Sequence, residues 1–503
     1  MSECATSSST REIDLERLVG ELGEDRSALR DAVVAGPGAP MGIDPAILGG
    51  VLRAVADEDV IGAGLVAVGH VDRRRRVLTG LVTVVTVLGL CLFRQENYDL
   101  VIGRVLAGVP RVLVEGRPSG PALSKARGRL PDDAMRVVFE HAAARMPEPG
   151  SECYAFGLLV TAFDGTVVDL AATGAMGAVF ATPRGGRFPQ ARVVTLAVCG
   201  LRWVLAARLG SSGVSEQALV DAMADSLTPG TLNLCDRNFF SMDRWVRFSD
   251  TGAHLAWRVK SGVKSLPAAI VAVLPDGSAR VRLSESDGML AYRRKKAGDP
   301  SLKRLPDTLA RLVEFTLQVR DEAGRIRTSR FRILTTLLDP ERYPAHQIAA
   351  LYGERWQIEL IYARVKSTLR GAHTRLRGQS PELAVQEIWG LLIVYNALVT
   401  LAVAAAVTLG VDPDEISFAA VLALTRANLA SDIPCPNCGC RRSDVVDPVD
   451  TLVAAITTQI RNRTDRQRTS PRTAKQRQIE HTRDVDYLIT IVSSTLSSKD
   501  ETA

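Results

Sequence analysis

The sequence predicts an α/β fold with a β-rich block set into it and a helical segment ahead of it. Three observations carry this. Strand-length apolar runs at 154–160, 193–199, 204–209 and 231–235 alternate with an amphipathic stretch at 216–227, the pattern of a sheet flanked by helices. Residues 263–344 switch to closely spaced strand-length runs broken by turn pieces such as Pro275-Asp276-Gly277. Apolar stretches too long for strands, at 77–107 and 381–409, read as packed helices.

The chain has 503 residues, 46% hydrophobic and 23% charged, which is ordinary for a globular protein and enough for two to four domains. Residues 1–26 are Ser-rich and acidic and read as a loosely ordered N-terminus without a signal segment. Residues 27–145 read as a helical N-terminal domain, with Asp44-Pro45 opening a helix as N-cap and N1 proline. Within it, 77–93 holds 17 residues without a charge behind Arg73–Arg76. That falls just short of a spanning helix, and Thr79, Thr83 and Thr86 interrupt it, so it reads as a buried helix and not a membrane span. Ser119–Leu130 mixes small residues with Lys125, Arg127 and Arg129, which suits either a helix with one basic face or a plain surface helix.

Residues 146–262 read as the first part of the α/β unit. Apolar 154–160 leads through Thr161–Thr166 into 167–170, a strand, a turn carrying Asp164-Gly165, and a second strand. The buried run 231–235 ends at Asp236. The β-rich block at 263–344 comes next. Residues 345–425 return to helix: one from Ala345 into Leu369, a second from Pro381 to about Leu409. Residues 426–503 carry Cys435, Cys438 and Cys440 and a basic tail. A structural Zn²⁺ wants four ligands, and His373 and His481 are distant in sequence, so the cluster reads as a surface loop ahead of a zinc site. The net charge is +6, and the 461–478 window alone carries seven basic residues and one acid, 7 − 1 = +6. That window is a polyanion patch or a solvated tail. The other five cysteines, Cys4, Cys91, Cys153, Cys199 and Cys235, are scattered as reduced core thiols of a cytosolic protein would be. No Gly-rich phosphate loop is present, which argues against ATP use.

Three acids stand out by context. Asp164 and Asp236 each follow an apolar run, and strand ends of an α/β sheet are where ligands bind. A half-desolvated carboxylate there is costly unless it meets a cation, and two strand-end acids plus one helical acid make a hard-oxygen site suited to Mg²⁺. Taken singly, either Asp also fits a turn or N-cap. The third acid lies in Tyr352-Gly-Glu-Arg355-Trp-Gln-Ile-Glu359-Leu-Ile-Tyr362-Ala-Arg-Val-Lys366. On a helix Tyr352, Arg355, Glu359, Tyr362 and Lys366 share one face, which can hold a metal with its acid and grip phosphates with its cations. A solvated face with Arg355 paired to Glu359 fits the same spacing.

The Tyr-Arg-Glu-Lys spacing resembles the signature of the insertion-element-four family of DDE transposases. Asp164-Gly165-Thr166 resembles the block of that family's first acid, and Asp236-Arg237-Asn238-Phe239-Phe240-Ser241 the block of its second. Residues 252–258 and 118–130 resemble further family segments, in the right order. The resemblance implies an RNase H-like core with the β-rich block as an insertion, and catalysis by Asp164, Asp236 and Glu359 holding two Mg²⁺ ions, with Mn²⁺ as a substitute. It implies cut-and-paste transposition. Water cleaves at the terminal inverted repeats, and the freed 3′-OH then attacks DNA, while Tyr352, Arg355, Lys366 and Arg237 hold DNA phosphates. It implies a homodimer on two DNA ends, no membrane, and a cytoplasmic bacterial protein that joins the nucleoid when active. The family's base-flipping aromatic has no Trp counterpart in 263–344, whose aromatics are Tyr292, Phe315, Phe331 and Tyr343. A non-cleaving DNA-binding descendant of such an enzyme is the alternative, and intact acids argue against it.

Overall fold

The computed structural model describes residues 56–72, 77–106, 118–260, 266–320, 326–371, 375–431, 448–458 and 487–492. The expectations for 1–26, Asp44-Pro45, the cysteines at 435–440 and the basic run at 461–478 lie outside these residues.

One sheet of eleven strands organises the chain. Strands β2 (Leu158–Asp169), β3 (Gln190–Val198) and β4 (Trp203–Ser211) form an antiparallel ribbon, with the short β1 (Tyr154–Ala155) beside β2. On the other flank of β2, β5 (Thr231–Cys235) and β6 (His254–Arg258) add in parallel. An antiparallel ribbon continued by two parallel strands is the RNase H-like arrangement that the family resemblance implies. β10 (Ile326–Thr335) pairs with β6, followed outward by β9 (Thr308–Arg320), β8 (Ala279–Leu283) and β7 (Ala268–Val273), while β11 (Tyr487–Ile491) also pairs with β9. The β-rich block therefore extends the core sheet.

Side chains alternate across this sheet, as a pleated strand requires. On β2, Val160, Ala162 and Val168 enter one hydrophobic core, and Phe163 enters the other. The first core is covered by helices α1 (Glu58–Ala67), α2 (Gly80–Leu92), α4 (Gly120–Arg127) and α5 (Ala134–Ala143) and by the long α12 (Pro381–Leu409). Helix α3 (Tyr98–Leu106) follows α2, and the short α6 (Gly174–Val179) follows β2. The second core is covered by α7 (Glu216–Asp221) and α8 (Met242–Ser249), joined by the Arg244–Asp221 fork at 2.6 and 2.9 Å.

Helix α12 runs from Pro381 at N1 to Gly410, whose left-handed φ of 64° ends it. It is long and apolar enough to cross a membrane, yet 83% of its most apolar window is buried inside the protein. Its buried polar side chains bond internally: Asn396 accepts from Val204 N–H (3.1 Å) and donates to Val204 C=O (2.9 Å), and Tyr395 donates to Arg202 C=O (2.9 Å). The 77–93 stretch forms α2, capped by Thr79 and buried along nearly its whole length. Gly390 lets α12 approach α2 closely, since a Cβ there would lie 2.9 Å from the Cys91 sulfur.

Several expectations change. Asp164-Gly165 is not a turn. β2 runs unbroken through it, because antiparallel β3 pairs along its whole second half, Asp164 opposite Thr195. Residues 216–227 form the short α7 and a 3₁₀ turn (Ala224–Ser226), not one helix. The β-rich block contains a helix, α9 (Asp287–Ala297), capped by Ser286 and closed by Gly298, which its highly charged sequence concealed. Arg127 sits on no basic face: it is fully buried against α12, donating to Leu383 C=O at 2.7 Å. Lys125 and Arg129 are exposed.

Candidate active site

β5 stops at Cys235, so β2 has no neighbour on that flank beyond Ala162. Into this notch folds the segment 345–369, which is not one helix. It comprises α10 (Ala345–Leu351), a 3₁₀ turn (Tyr352–Trp356), α11 (Gln357–Ala363) and a π-helical turn (Arg364–Leu369). Packing forces these changes of pitch, because successive side chains must meet two strands of different length. Tyr352 is buried, and its hydroxyl donates to Cys235 C=O at 3.4 Å. Tyr362 donates to Asp164 C=O, and Lys366 Nζ donates to Thr166 Oγ1 at 3.0 Å. Gln357 Oε1 accepts from Gly200 N–H at 2.7 Å.

The three acids come from three elements. Asp164 lies mid-β2, on the face that meets α11. Asp236 directly follows β5, and its C=O accepts from Phe239 N–H (3.0 Å) in a turn that leads to the Ser241 cap of α8. Glu359 is in the first turn of α11. Arg355 stands between two of them, 3.9 Å from Asp164 Oδ2 and 3.4 Å from Glu359 Oε1. Arg258 lies 3.8 Å from Asp236 Oδ1, its guanidinium 4.4 Å above the Phe331 ring, which stacks on Phe315. Arg237 is exposed beside Asp236.

Burial raises the Asp164 carboxyl to about pH 6, Glu359 and Glu216 adding to the effect, while Arg355 and the Gly165 N–H oppose it. Glu216, paired with Arg192 at 3.0 Å, packs where a Gly165 side chain would be. Desolvation depresses the Lys366 ammonium below its ordinary value. Burial is also the main force on Arg355, but its anionic surroundings outweigh that and hold it firmly protonated.

Asp236 Oδ1 is buried without a hydrogen-bond partner among the described residues. An orphaned carboxylate oxygen beside two further acids is a donor set that fits a hard divalent cation. Among the described residues, however, no three His, Cys, Asp or Glu side chains gather around a single point. Arg355 takes up the charge of Asp164 and Glu359 in this conformation.

The raised Asp164 pKa has a consequence for stability. The native chain holds this proton more tightly than an unfolded Asp near 3.8, so stability falls as pH rises through that window toward 6. Asp164→Asn is expected to stabilise the metal-free protein at pH 7.5 by on the order of 1–3 kcal/mol, with the gain gone by pH 4. Thermal melts at both pH values check this. A gain that does not change with pH would contradict it.

Of the residues that the sequence singles out, Tyr352, Arg355, Glu359 and Lys366 enter the notch beside Asp164, while Asp236 stands at its edge after β5 and the three acids do not converge on one point among the described residues. Arg258, Glu216 and Thr195 were missed as neighbours of the acids. Arg258 ends the 252–258 block, which was its one signal, whereas Glu216 and Thr195 approach only through strand pairing.

A family model described as the transposase DDE domain matches residues 155–397, and one described as the insertion element 4 transposase N-terminal region matches residues 48–140. The chain is 28% identical over 344 residues to the transposase InsG for insertion sequence element IS4 of Escherichia coli (strain K12), covering 68% of this chain and 73% of that protein. A piggyBac transposase synaptic complex with hairpin DNA, solved by cryo-electron microscopy, is similar at a TM-score of 0.42 and 9% identity, over 84% of this chain and 87% of that one. With one family model on the N-terminal helices and another spanning β2 with Asp164, β5 with the Asp236 that follows it, and the helix that carries Glu359, the chain belongs to the IS4 family of DDE transposases, DNA transposases that are metal-dependent polynucleotidyl transferases.

Proposed function

We propose that the chain excises and inserts its own element by a cut-and-paste route, cleaving at terminal inverted repeats with Asp164, Asp236 and Glu359. The observation that supports this reading is that Arg355 lies within ion-pair distance of both Asp164 and Glu359, which are 195 positions apart in the chain (359 − 164), while Asp236 directly follows the neighbouring strand β5. The three carboxylates would hold two divalent ions, Mg²⁺ by preference and Mn²⁺ as a substitute. Bound there, the ions supply Lewis-acid stabilisation of the attacking and leaving oxygens of an in-line phosphoryl displacement.

The remaining work belongs to the chain's own side chains. Arg355 and Lys366 carry only donors and cannot ligate a cation. Arg355 neutralises Asp164 and Glu359 in the metal-free protein, and its planar fork would turn to phosphate oxygens once cations take over that charge. Lys366 and the exposed Arg237 would grip the DNA backbone nearby. The Tyr352 hydroxyl, turned to Cys235 C=O, would act on phosphate only after a rotamer change. We assign DNA binding also to the helical segment 27–145 and the basic run 461–478, treat 263–344 as an insertion into a core of 146–262 and 345–425, and expect a homodimer on paired ends. The intact acids and signature favour cleavage over a non-cleaving DNA-binding role.

Arg355→Ala and Lys366→Ala are expected to slow single-turnover cleavage of an end-containing duplex by on the order of 10²-fold while divalent-ion binding persists. Arg355→Lys is expected to be impaired too, since an ammonium cannot reproduce a bidentate fork. Normal cleavage in all three variants would reduce this face to a half-buried ion pair with no part in cleavage. In the basic run, neutralising Arg466, Arg468, Arg472 and Lys475 together is expected to flatten the salt dependence of DNA binding, by a log–log slope of about 0.9 for each lost phosphate contact. An unchanged slope would make the run a solvated tail.

A further inference from the structure

The hydroxyl of Tyr362 is buried at the junction of three elements. It donates to the backbone carbonyl of Asp164 and lies 2.9 Å from Thr195 Oγ1 on β3. A carbonyl can only accept, so the tyrosyl proton is committed to Asp164 and the Thr195 hydroxyl must be the donor to Tyr362. Thr195 is the residue paired with Asp164 across the β2–β3 ladder. The phenol thus joins α11 to both strands at the register of the first acid.

Tyr362 is one turn beyond Glu359 on α11, so a bond at Tyr362 fixes the position of Glu359 as well. Four residues on, Lys366 holds Thr166, which lies on the same face of β2 as Asp164. These two bonds fasten α11 and the turn after it to β2 at Asp164 and two residues beyond it, and β5 cannot assist because it ends at Cys235.

We infer that Tyr362 is a positioning residue for strand cleavage: its hydroxyl, bonded to the Asp164 carbonyl, sets the separation and register of Asp164 and Glu359 and so the affinity of the site for divalent ions. Tyr362 touches no reacting atom. The inference rests on the reading of Asp164, Asp236 and Glu359 as the holders of those ions.

Full-length Tyr362→Phe tests it, because the change keeps the ring and removes only the hydroxyl. Mn²⁺ binding, followed by electron paramagnetic resonance without DNA, is expected to weaken by roughly three- to tenfold, the range one lost hydrogen bond supports. Mg²⁺-dependent cleavage is expected to fall by about ten- to a hundredfold, with a melting temperature within about 5 °C of wild type. Thr195→Val leaves the bond to Asp164 in place and is expected to keep wild-type Mn²⁺ affinity. Wild-type Mn²⁺ affinity in Tyr362→Phe would overturn the inference. Equal weakening by Thr195→Val would overturn it too, since the effect would then come from general loosening of the sheet against α11. Asp236→Ala separates the two readings: if it binds Mn²⁺ as wild type does, the metal assignment itself fails, and if it loses Mn²⁺ while Tyr362→Phe does not, the positioning role alone fails.

Discussion

Alanine at Asp164, Asp236 or Glu359 is expected to lower strand cleavage by about 10³-fold or more while leaving binding to element ends intact. Stabilisation of the transferring phosphoryl group by bound divalent ions is worth several kcal/mol, and each 1.36 kcal/mol is a factor of ten in rate. The three positions should differ in folding. Asp236 Oδ1 has no hydrogen-bond partner to lose among the described residues, but its removal deprives Arg258 of an ion pair at 3.8 Å, whereas removing Asp164 relieves a desolvated carboxylate. Loss of Glu359 leaves Arg355 with Asp164 at 3.9 Å. Single-turnover cleavage and gel-shift binding on the same preparations check this. Near-normal cleavage by any one variant would remove that residue from the site.

Glu387→Ala is expected to destabilise the protein by about 3–5 kcal/mol, because it leaves two buried guanidinium groups without their counter-ion. Glu387 lies in α12, fully buried. Its Oε2 accepts from Arg94 at 2.7 Å and from the Arg377 N–H at 2.8 Å, and its Oε1 lies 3.5 Å from Arg127. These partners come from the turn after α2, from α4 and from the segment leading into α12. One carboxylate therefore ties the N-terminal helices to the catalytic core. Denaturant unfolding measures the loss, and a change below about 1 kcal/mol would show that water enters and solvates both arginines. Truncating a partner is harsher than the pair is strong, since the penalty comes from the stranded charges.

Much of this protein was legible in its sequence. Strand β5 ends at Cys235, where the apolar run ends, and α12 spans Pro381–Leu409 with proline opening it and Gly410 closing it. Those signals are local: an apolar period, an N1 proline and a left-handed glycine act within a few residues. The common face of Glu359 and Tyr362 is local in the same sense, since both lie on one helix, whereas Arg355 and Lys366 lie on the 3₁₀ and π turns that flank it.

What the sequence could not decide was set by partners distant along the chain. Asp164-Gly165 has the composition of a turn, but pairing with β3 and the packing of Glu216 over Gly165 keep β2 extended through it. Arg127 has the composition of a basic surface, but Glu387 and the end of α12 draw it into the core. The candidate site residues were nameable from the chain alone, whereas the approach of Glu359 to Asp164 through Arg355 required β5 to stop short of the end of β2. That notch admits the Glu359 helix, and the bonds from Tyr352, Tyr362 and Lys366 bend its pitch to fit. Such bonds join residues more than a hundred positions apart, and only the free energy of the whole fold makes them form.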